Sequence, residues 1–297
     1  MFSPRVAAYA AYCTAIALIE LPVLKALVHL SRNDESASHL VLMPLLAIAL
    51  VVMHRKEIFS GVALRALPAR AIAAAGALVL LALAHPLRLM GGSLSTLMAE
   101  VVLFWMAGFV VLFGVRPFRA ALFPALLLGL TIPIPAAALH AAVELLKRGS
   151  AEVVAALFTL TGTTFHRDGF VFSLASVVIE IADECSGIRS SIALVLTALL
   201  AGHGSLHSNW RRAVLVAAVL PLVILKNGLR IVTLTLLAMH VDPSFLVGRL
   251  HNDGGIVFFL IALAMLAPVL ALLRRSESRS PVRPAAVSYP SLKEDYQ

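Results

Sequence analysis

The sequence predicts an all-α integral membrane protein, a polytopic bundle of about eight transmembrane helices with a small β-hairpin-like element on the extracytoplasmic side. Composition is the first observation behind this prediction. Of the 297 residues, 60% are hydrophobic and only 13% are charged, whereas soluble domains carry roughly 25% charged residues. The second observation is arrangement, since apolar residues form long runs and most Lys and Arg residues lie between them. Together these observations favour a membrane protein over a soluble domain.

Eight apolar runs are candidate spans, because roughly 17–25 apolar residues cross the hydrocarbon core as a helix. The first run is too long for the core of a signal peptide and has no small-residue cleavage site at its end, so we expect it to be retained. The runs lie at about 6–30, 38–53, 69–90, 95–115, 118–135, 186–202, 212–236 and 255–273.

Basic residues between the spans predict the orientation. Clusters of Lys and Arg follow spans two, four, six and eight, and all fall on the side of Arg5 if the N-terminus lies there too. An excess of such residues marks the cytoplasmic side, so both termini are expected in the cytoplasm. The net charge of +8 is then explained by topology. Nucleic acid is not an expected partner, because no basic stripe interleaved with aromatic residues occurs.

The longest stretch between predicted spans, residues 136–184, is expected to be extracytoplasmic. Residues 136–149 mix charged residues with Ala, Val and Leu, which predicts a helix on the membrane interface or across the mouth of the bundle. A further apolar piece covers residues 152–160. This stretch precedes the segment with the first candidate catalytic residue.

Two short runs rich in β-branched and aromatic residues, at 163–166 and 170–181, flank turn-forming residues at 167–169. This pattern predicts a β-hairpin. We therefore divide the chain into a transmembrane domain, residues 1–273, and a cytoplasmic tail, residues 274–297, whose Ser, Pro and charged residues predict disorder.

Three polar segments carry side chains that can do chemistry. They place Cys185 at the start of the sixth span, Arg230 in the outer part of the seventh, and His251 in the loop before the eighth. The predicted topology puts all three near the outer face. Cys13, in the inner half of the first span, lies elsewhere. Because no CxxC or clustered His/Cys spacing accompanies the two cysteines, we expect neither a disulfide framework nor a metal site.

Cys185 is the candidate nucleophile. A thiol attacks as the thiolate, and its usual pKa of about 8.5 falls beside a helix N-terminus or a cation. Cys185 precedes a helix predicted to begin near Gly187, whose free N–H groups favour an anion, and this glycine would let a substrate backbone approach. The pKa of the thiol would instead be raised by nearby carboxylates if these point at the sulfur; the candidates are Glu180, Asp183 and Glu184. The alternative is a small, buried, apolar cysteine.

Arg230 stays charged in a protein, so it would stabilise an oxyanion or hold a carboxylate rather than act as a base. An ionisable residue in an apolar run costs at least about 2.5 kcal/mol, which makes a function the default hypothesis; the alternative is snorkelling to the surface. The nearby Lys226 is expected to be structural or to face lipid. An imidazole titrates near working pH, so His251 is the candidate acid or base, unless it is an ordinary loop histidine.

Together these residues resemble the exosortase/archaeosortase family of membrane-embedded, cysteine transpeptidase-like enzymes. The resemblance covers about residues 162–255. Cys-Ser-Gly-Ile at 185–188 is similar to the family's nucleophile motif, and Asn-Gly-Leu-Arg-Ile at 227–231 resembles its Asn-x-x-Arg segment. His251, with the glycines that follow it, resembles the closing histidine motif. The N-terminal half agrees with the family in its multi-span architecture alone.

The resemblance implies a role for each of these residues. Cys185 would be the nucleophile, Arg230 the stabiliser of the transition state or substrate, and His251 the acid and base. Substrate binding is assigned to the motif residues beside the first two, which are Ser186, Gly187 and Asn227.

The resemblance also implies a reaction and its partners. Exported proteins with a C-terminal sorting signal, which is a short motif followed by one span and a basic tail, would dock beside the bundle among the membrane lipids. The thiol would cleave the signal through a thioester that an amine or water resolves. Histidine in the last motif, where archaeal relatives often have arginine, favours a bacterial cytoplasmic (inner) membrane. Zinc and nucleotide motifs are absent from the sequence, so no cofactor is expected.

Two other classes stay open from the residues alone. A small-molecule transporter would use Arg230 to bind an anionic substrate, and a non-catalytic export or assembly scaffold would need none of the chemistry. A transporter is disfavoured because the two halves show no evident repeat, and the proline-interrupted segment at 131–135 has no counterpart in the second half.

Overall fold

The computed structural model of the chain describes residues 4–60, 71–79, 82, 86, 92–183, 187–246 and 255–278. The described residues are mostly helical. The helices are α1 (Pro4–Ile19), α2 (Leu21–Asn33), α3 (Leu42–Met53), α4 (Arg55–Ile58), α5 (71–79), α6 (Leu94–Phe113), α7 (Val115–Ala120), α8 (Leu122–Gly129), α9 (Ala136–Leu160), α10 (Ile188–Ser205), α11 (Asn209–His240) and α12 (Gly255–Ser278). One sheet has the strand order β1 (Phe165–Asp168), β2 (Val171–Leu174), β3 (Val178–Glu180).

Within the described residues, four helices are long and apolar enough to cross a membrane, namely α6, α10, α11 and α12, and the bent pair α1–α2 provides a fifth candidate. The helical membrane class is therefore confirmed, whereas the predicted eight spans are not. Helix α3 has only 12 residues, fewer than the roughly 17 that a span needs. The predicted fifth span, residues 118–135, is divided between α7 and α8. The predicted third span, residues 69–90, lies only partly within the described residues.

The first predicted span, residues 6–30, is not one straight helix. Helices α1 and α2 meet at an angle of 78°, with Glu20 between them. Pro22 stands in the first turn of α2, where its missing N–H leaves no helical hydrogen bond unmade. In a continuous helix its ring would clash with the carbonyl four residues earlier. The break therefore coincides with a proline, which a count of apolar residues does not register.

The chain divides into two compact units, residues 1–149 with 180–193 and residues 150–179 with 194–297. In the first unit, α1 packs on α6. The hydroxyl groups of Tyr9 and Tyr12 donate hydrogen bonds to the backbone carbonyls of Trp105 (3.0 Å) and Phe104 (2.9 Å). The ring of Tyr12 also occupies the space that a side chain at Gly108 would need. Close packing of these helices thus depends on a glycine in the middle of α6.

In the second unit, the C-terminal half of α9 packs against the sheet. Phe158 is fully buried there, with its ring centroid 5.7 Å from that of Phe165 and 6.1 Å from that of Phe172. The predicted hairpin is confirmed, since β1 and β2 are antiparallel and two residues join them. Gly169, with φ of 58°, is the first of these two, where a type II′ turn takes glycine. The predicted second run, residues 170–181, forms two strands rather than one.

Helix α9 is one continuous helix of 25 residues, not an interfacial helix at 136–149 followed by a separate apolar piece at 152–160. Gly149 does not interrupt it, because the side chains around this glycine stay buried at helical spacing. These buried residues are Leu146, Lys147, Ser150, Ala151, Val154 and Phe158.

The end of α12 is tied to the start of α11. The carboxylate of Glu277 accepts hydrogen bonds from the backbone N–H groups of His207 (3.0 Å) and Ser208 (2.7 Å), and from Nη1 of Arg211 at 3.3 Å. Helix α12 therefore continues to Ser278, beyond the predicted end of the eighth span at 273. The rest of the predicted tail, residues 279–297, lies outside the described residues.

Candidate active site

Arg230 lies on α11, where it is half-buried. Lys226 precedes it by one helical turn on the same face and is only 2% exposed. Of the two alternatives expected for Lys226, this burial excludes a side chain that faces lipid and leaves the structural one.

Two cations one turn apart repel each other, so their position on a buried face of a span requires compensation. Such a pair is suited to holding an anion or to stabilising negative charge that develops on a substrate. Of the two cations, Arg230 was predicted from the sequence motif. Lys226 is the residue that the motif analysis did not identify as a candidate for function.

Asn227 and Gly228, three and two residues before Arg230, hold α11 against α9. Asn227 is completely buried, and its Nδ2 donates a hydrogen bond to Oγ of Ser150 at 3.0 Å. A Cβ atom added at Gly228 would lie 2.8 Å from Cβ of Val153. Its burial and its hydrogen bond give Asn227 a role in helix packing, and substrate binding by Asn227 stays a prediction. These contacts fix the backbone of α11 next to the arginine.

Substituting Gly228 with alanine is expected to lower the free energy of unfolding by about 1–3 kcal/mol, because the new methyl group overlaps the side chain of Val153. The measurement is thermal unfolding of the purified protein in detergent. Gly204→Ala is the matched control, since a Cβ at Gly204 meets nothing within 4 Å and alanine favours a helix. Equal unfolding temperatures for the two variants would contradict the close contact between α9 and α11.

In the first unit, an ion pair holds the segment that leads to Cys185. Nζ of Lys147, whose side chain is 11% exposed, lies 2.7 Å from Oδ1 of Asp183, whose side chain is 64% exposed. The hydrogen bond and charge of Lys147 hold the pKa of Asp183 below its ordinary value. The same hydrogen bond raises the pKa of Lys147, against the effect of burial. Asp183, one of the carboxylates expected to oppose ionisation of the thiol, is thus paired with a cation.

Gly187 stands between Cys185 and α10, which begins at Ile188, close to the predicted start. Its φ is 75°, in the left-handed region that residues with a Cβ seldom adopt. Its carbonyl accepts hydrogen bonds from Oγ of Ser190 (2.9 Å) and Oγ of Ser191 (2.8 Å). The backbone conformation is therefore sufficient reason for glycine here, and substrate binding by Gly187 stays a prediction.

Cys185, Ser186 and His251 lie outside the described residues. The grouping of Cys185 with Arg230 and His251 therefore stays a prediction, as does substrate binding by Ser186. Across the described part of the chain, no three His, Cys, Asp or Glu residues are grouped so that they could hold a metal ion.

The apolar helices and the buried cations of α11 define a polytopic membrane protein with an ionisable site inside one of its spans. Residues 31–268 match the family model described as Transmembrane exosortase (Exosortase_EpsH). Because this match covers most of the chain, the chain belongs to the transmembrane exosortase family, a family of cysteine transpeptidases. Comparison with curated proteins and with solved structures gave no match.

The family match also extends the resemblance seen in the sequence. The motifs lie between residues 162 and 255, and the N-terminal half was related to the family by architecture alone. The match begins at residue 31, so it includes most of the helices before α9. The family assignment therefore rests on the membrane helices as well as on the short motifs.

Proposed function

We propose that this chain is a membrane-embedded cysteine peptidase or transpeptidase that cleaves the C-terminal sorting signals of exported proteins. The observation that carries the proposal is the family match over residues 31–268, which includes the Cys-Ser-Gly-Ile motif at 185–188. Lys226 and Arg230 of α11 support the proposal, because an ionisable residue inside a membrane span is costly and usually serves a function.

In the proposed reaction, the thiolate of Cys185 attacks the carbonyl carbon of a peptide bond in the signal. As the C–S bond forms, the carbonyl oxygen gains negative charge, which the guanidinium of Arg230 stabilises. His251 gives a proton to the leaving amine as the C–N bond breaks, producing a thioester. It then takes a proton from the amine or water that attacks the thioester, and the thiolate is released.

We place the active site at the extracytoplasmic face of a bacterial cytoplasmic membrane, with both termini in the cytoplasm. The support for this orientation is the distribution of Lys and Arg between the apolar runs. The proposed partners are exported proteins whose signal combines a short motif, one span and a basic tail. Ser186 and Gly187, which flank the nucleophile, are proposed to contact the backbone of that motif.

Cells that lack this chain are expected to retain C-terminal tails that cells with the chain remove. The measurement is mass spectrometry of the C-terminal peptides of all membrane and secreted proteins in both strains. Expression of the Cys13→Ala variant should restore removal, because Cys13 lies on α1 and belongs to none of the motifs. If no tail differs between the strains, the chain is not a processing enzyme and a scaffold or transporter becomes the better explanation.

A further inference from the structure

Lys147 pairs with Asp183, which stands two residues before the proposed nucleophile in the sequence. The ammonium group of Lys147 lies 2.7 Å from Oδ1 of Asp183 and 4.0 Å from Oε1 of Glu144. The other carboxylate oxygen of Glu144 is 3.5 Å from Nε of Arg148. Glu180 also attracts Lys147 electrostatically. Lys147 thus pairs closely with one carboxylate and lies within the electrostatic influence of two more.

The pair joins residues that are 36 positions apart. It is therefore a tertiary contact between α9 and the residues that follow β3, and not part of a local turn. Asp183 stands two residues before Cys185, and two peptide units span at most about 7 Å. The Cα atom of Cys185 can therefore lie no farther than this from the Cα atom of Asp183, the residue that Lys147 holds. The strand β3 ends at Glu180, so Asp183 lies outside the sheet and is held by the ion pair with Lys147.

The pair of Lys147 and Asp183 also reduces the net negative charge of the segment that precedes Cys185. Glu180, Asp183 and Glu184 lie within five residues of Cys185, and nearby carboxylates disfavour the thiolate. A buried ammonium that binds one of them and attracts another offsets part of this effect. Arg148 does not do the same, because its side chain is 75% exposed and pairs with Glu144 on its own helix.

We propose that Lys147 is a positioning residue for Cys185: its ammonium group holds Asp183, and thereby the segment before the thiol, and offsets the negative charge of the carboxylates there. The inference rests on the proposed function, since it assigns Lys147 a task only if Cys185 reacts as a nucleophile. Lys147 itself touches neither the thiol nor the substrate in this scheme.

The pair stays formed over the pH range in which a thiol titrates. The pKa of Asp183 is lowered from 3.8, so its contribution is present above that value and is lost as the pH falls through the lowered pKa. The pKa of Lys147 is raised from 10.5, so its contribution is present below that value and is lost only as the pH rises through the raised pKa. In the described part of the chain, the charged or titratable groups around the pair include Glu144, Glu180, His140 and Arg148. Between about pH 6 and about pH 9.5, a change in thiol reactivity therefore reports on the thiol rather than on rupture of the pair.

The test is the rate of alkylation of Cys185 by iodoacetamide as a function of pH, in the full chain with Cys13→Ala so that one thiol remains. Lys147→Met is expected to shift the midpoint of the profile upward by about half a unit to one unit, which slows alkylation at pH 7 about three- to tenfold. Lys147→Arg should stay close to the parent, since arginine keeps the charge and the carboxylate contact. Arg148→Met removes the same charge from the next residue and should leave the midpoint in place.

Asp183→Asn gives a second, independent result. Its side chain is mostly exposed, so the variant is expected to fold, and removing a carboxylate near the thiol should shift the midpoint downward, opposite to Lys147→Met. Cleavage of the sorting signal should nevertheless fall in both variants, because both release the segment. Loss of structure alone would move the two alkylation midpoints in the same direction.

The inference is overturned if Lys147→Met has the parent's alkylation profile, if Arg148→Met shifts it as far, or if Asp183→Asn shifts it upward. These outcomes are separate from a failure of the proposed function. Alkylation needs no substrate, so a shift in Lys147→Met together with unchanged C-terminal tails in cells lacking the chain would contradict the peptidase and still leave Lys147 coupled to the thiol.

Discussion

Replacing Cys185 with serine is expected to reduce cleavage of a sorting signal by at least about a thousandfold. The thiolate is both the attacking group and the leaving group of the thioester, and a serine hydroxyl, which stays protonated at neutral pH without a strong base, cannot substitute for it. A serine at position 185 would not stand in a G-x-S-x-G elbow, because Asp183 occupies the position of the first glycine. The measurement is release of the C-terminal fragment from a purified substrate by the purified chain in detergent.

The covalent intermediate gives the same prediction a direct readout. The parent chain, mixed with substrate and hydroxylamine, should release the substrate as a hydroxamate, because hydroxylamine cleaves thioesters; Cys185→Ser should release none. Cys13→Ser is the matched control, since it makes the same exchange on α1 of the first unit and should keep the parent's rate. Turnover within tenfold of the parent in Cys185→Ser would exclude a cysteine nucleophile.

Replacing Arg230 with methionine is expected to lower kcat by about a hundredfold to a thousandfold, the usual effect of removing one oxyanion-stabilising donor. Methionine is unbranched and favours a helix, so the loss is expected in turnover and not in folding. Arg230→Lys should recover only part of the rate, because an ammonium lacks the planar fork of a guanidinium.

A second arginine on the same helix provides the control. Arg212 donates hydrogen bonds from Nε (2.9 Å) and Nη2 (2.6 Å) to the backbone carbonyl of Leu206, so it stabilises the start of α11. Arg212→Lys is expected to lower the unfolding temperature and to leave kcat near that of the parent. If Arg230→Met changes stability but not kcat, Arg230 is a structural residue and the proposed mechanism loses its oxyanion stabiliser.

The class of fold could be predicted from the sequence because it depends on quantities that add along the chain. Long apolar runs determine the membrane environment, and a single glycine at 169 between β-branched and aromatic runs determines the hairpin. The number of spans depends instead on where a helix is broken. Pro22 divides the first predicted span, and the fifth is broken at Ala121, the residue between α7 and α8, which a hydropathy window averages over.

The residues of the candidate site likewise differ in whether the sequence alone could predict their roles. The motif around Arg230 could be recognised because its residues are neighbours in the sequence. The roles of Lys226 and Lys147 could not, because an isolated lysine is as compatible with an exposed surface as with a buried pair. The partner of Lys147 is 36 residues away, and only the folded chain brings Asp183 to it. Burial of a charge thus depends on tertiary contacts that local sequence does not contain.

The close approach of Gly228 to Val153 has a consequence for how relatives of this chain can diverge. A side chain gained at 228 has room only if volume is lost at 153, since these two positions share one space between α9 and α11. A side chain gained first at 228 would clash, whereas volume lost first at 153 leaves a cavity. The two changes are therefore expected together or in the order that removes volume before adding it. A lineage that changes both positions would therefore pass through a variant with a cavity and not through one with a steric clash.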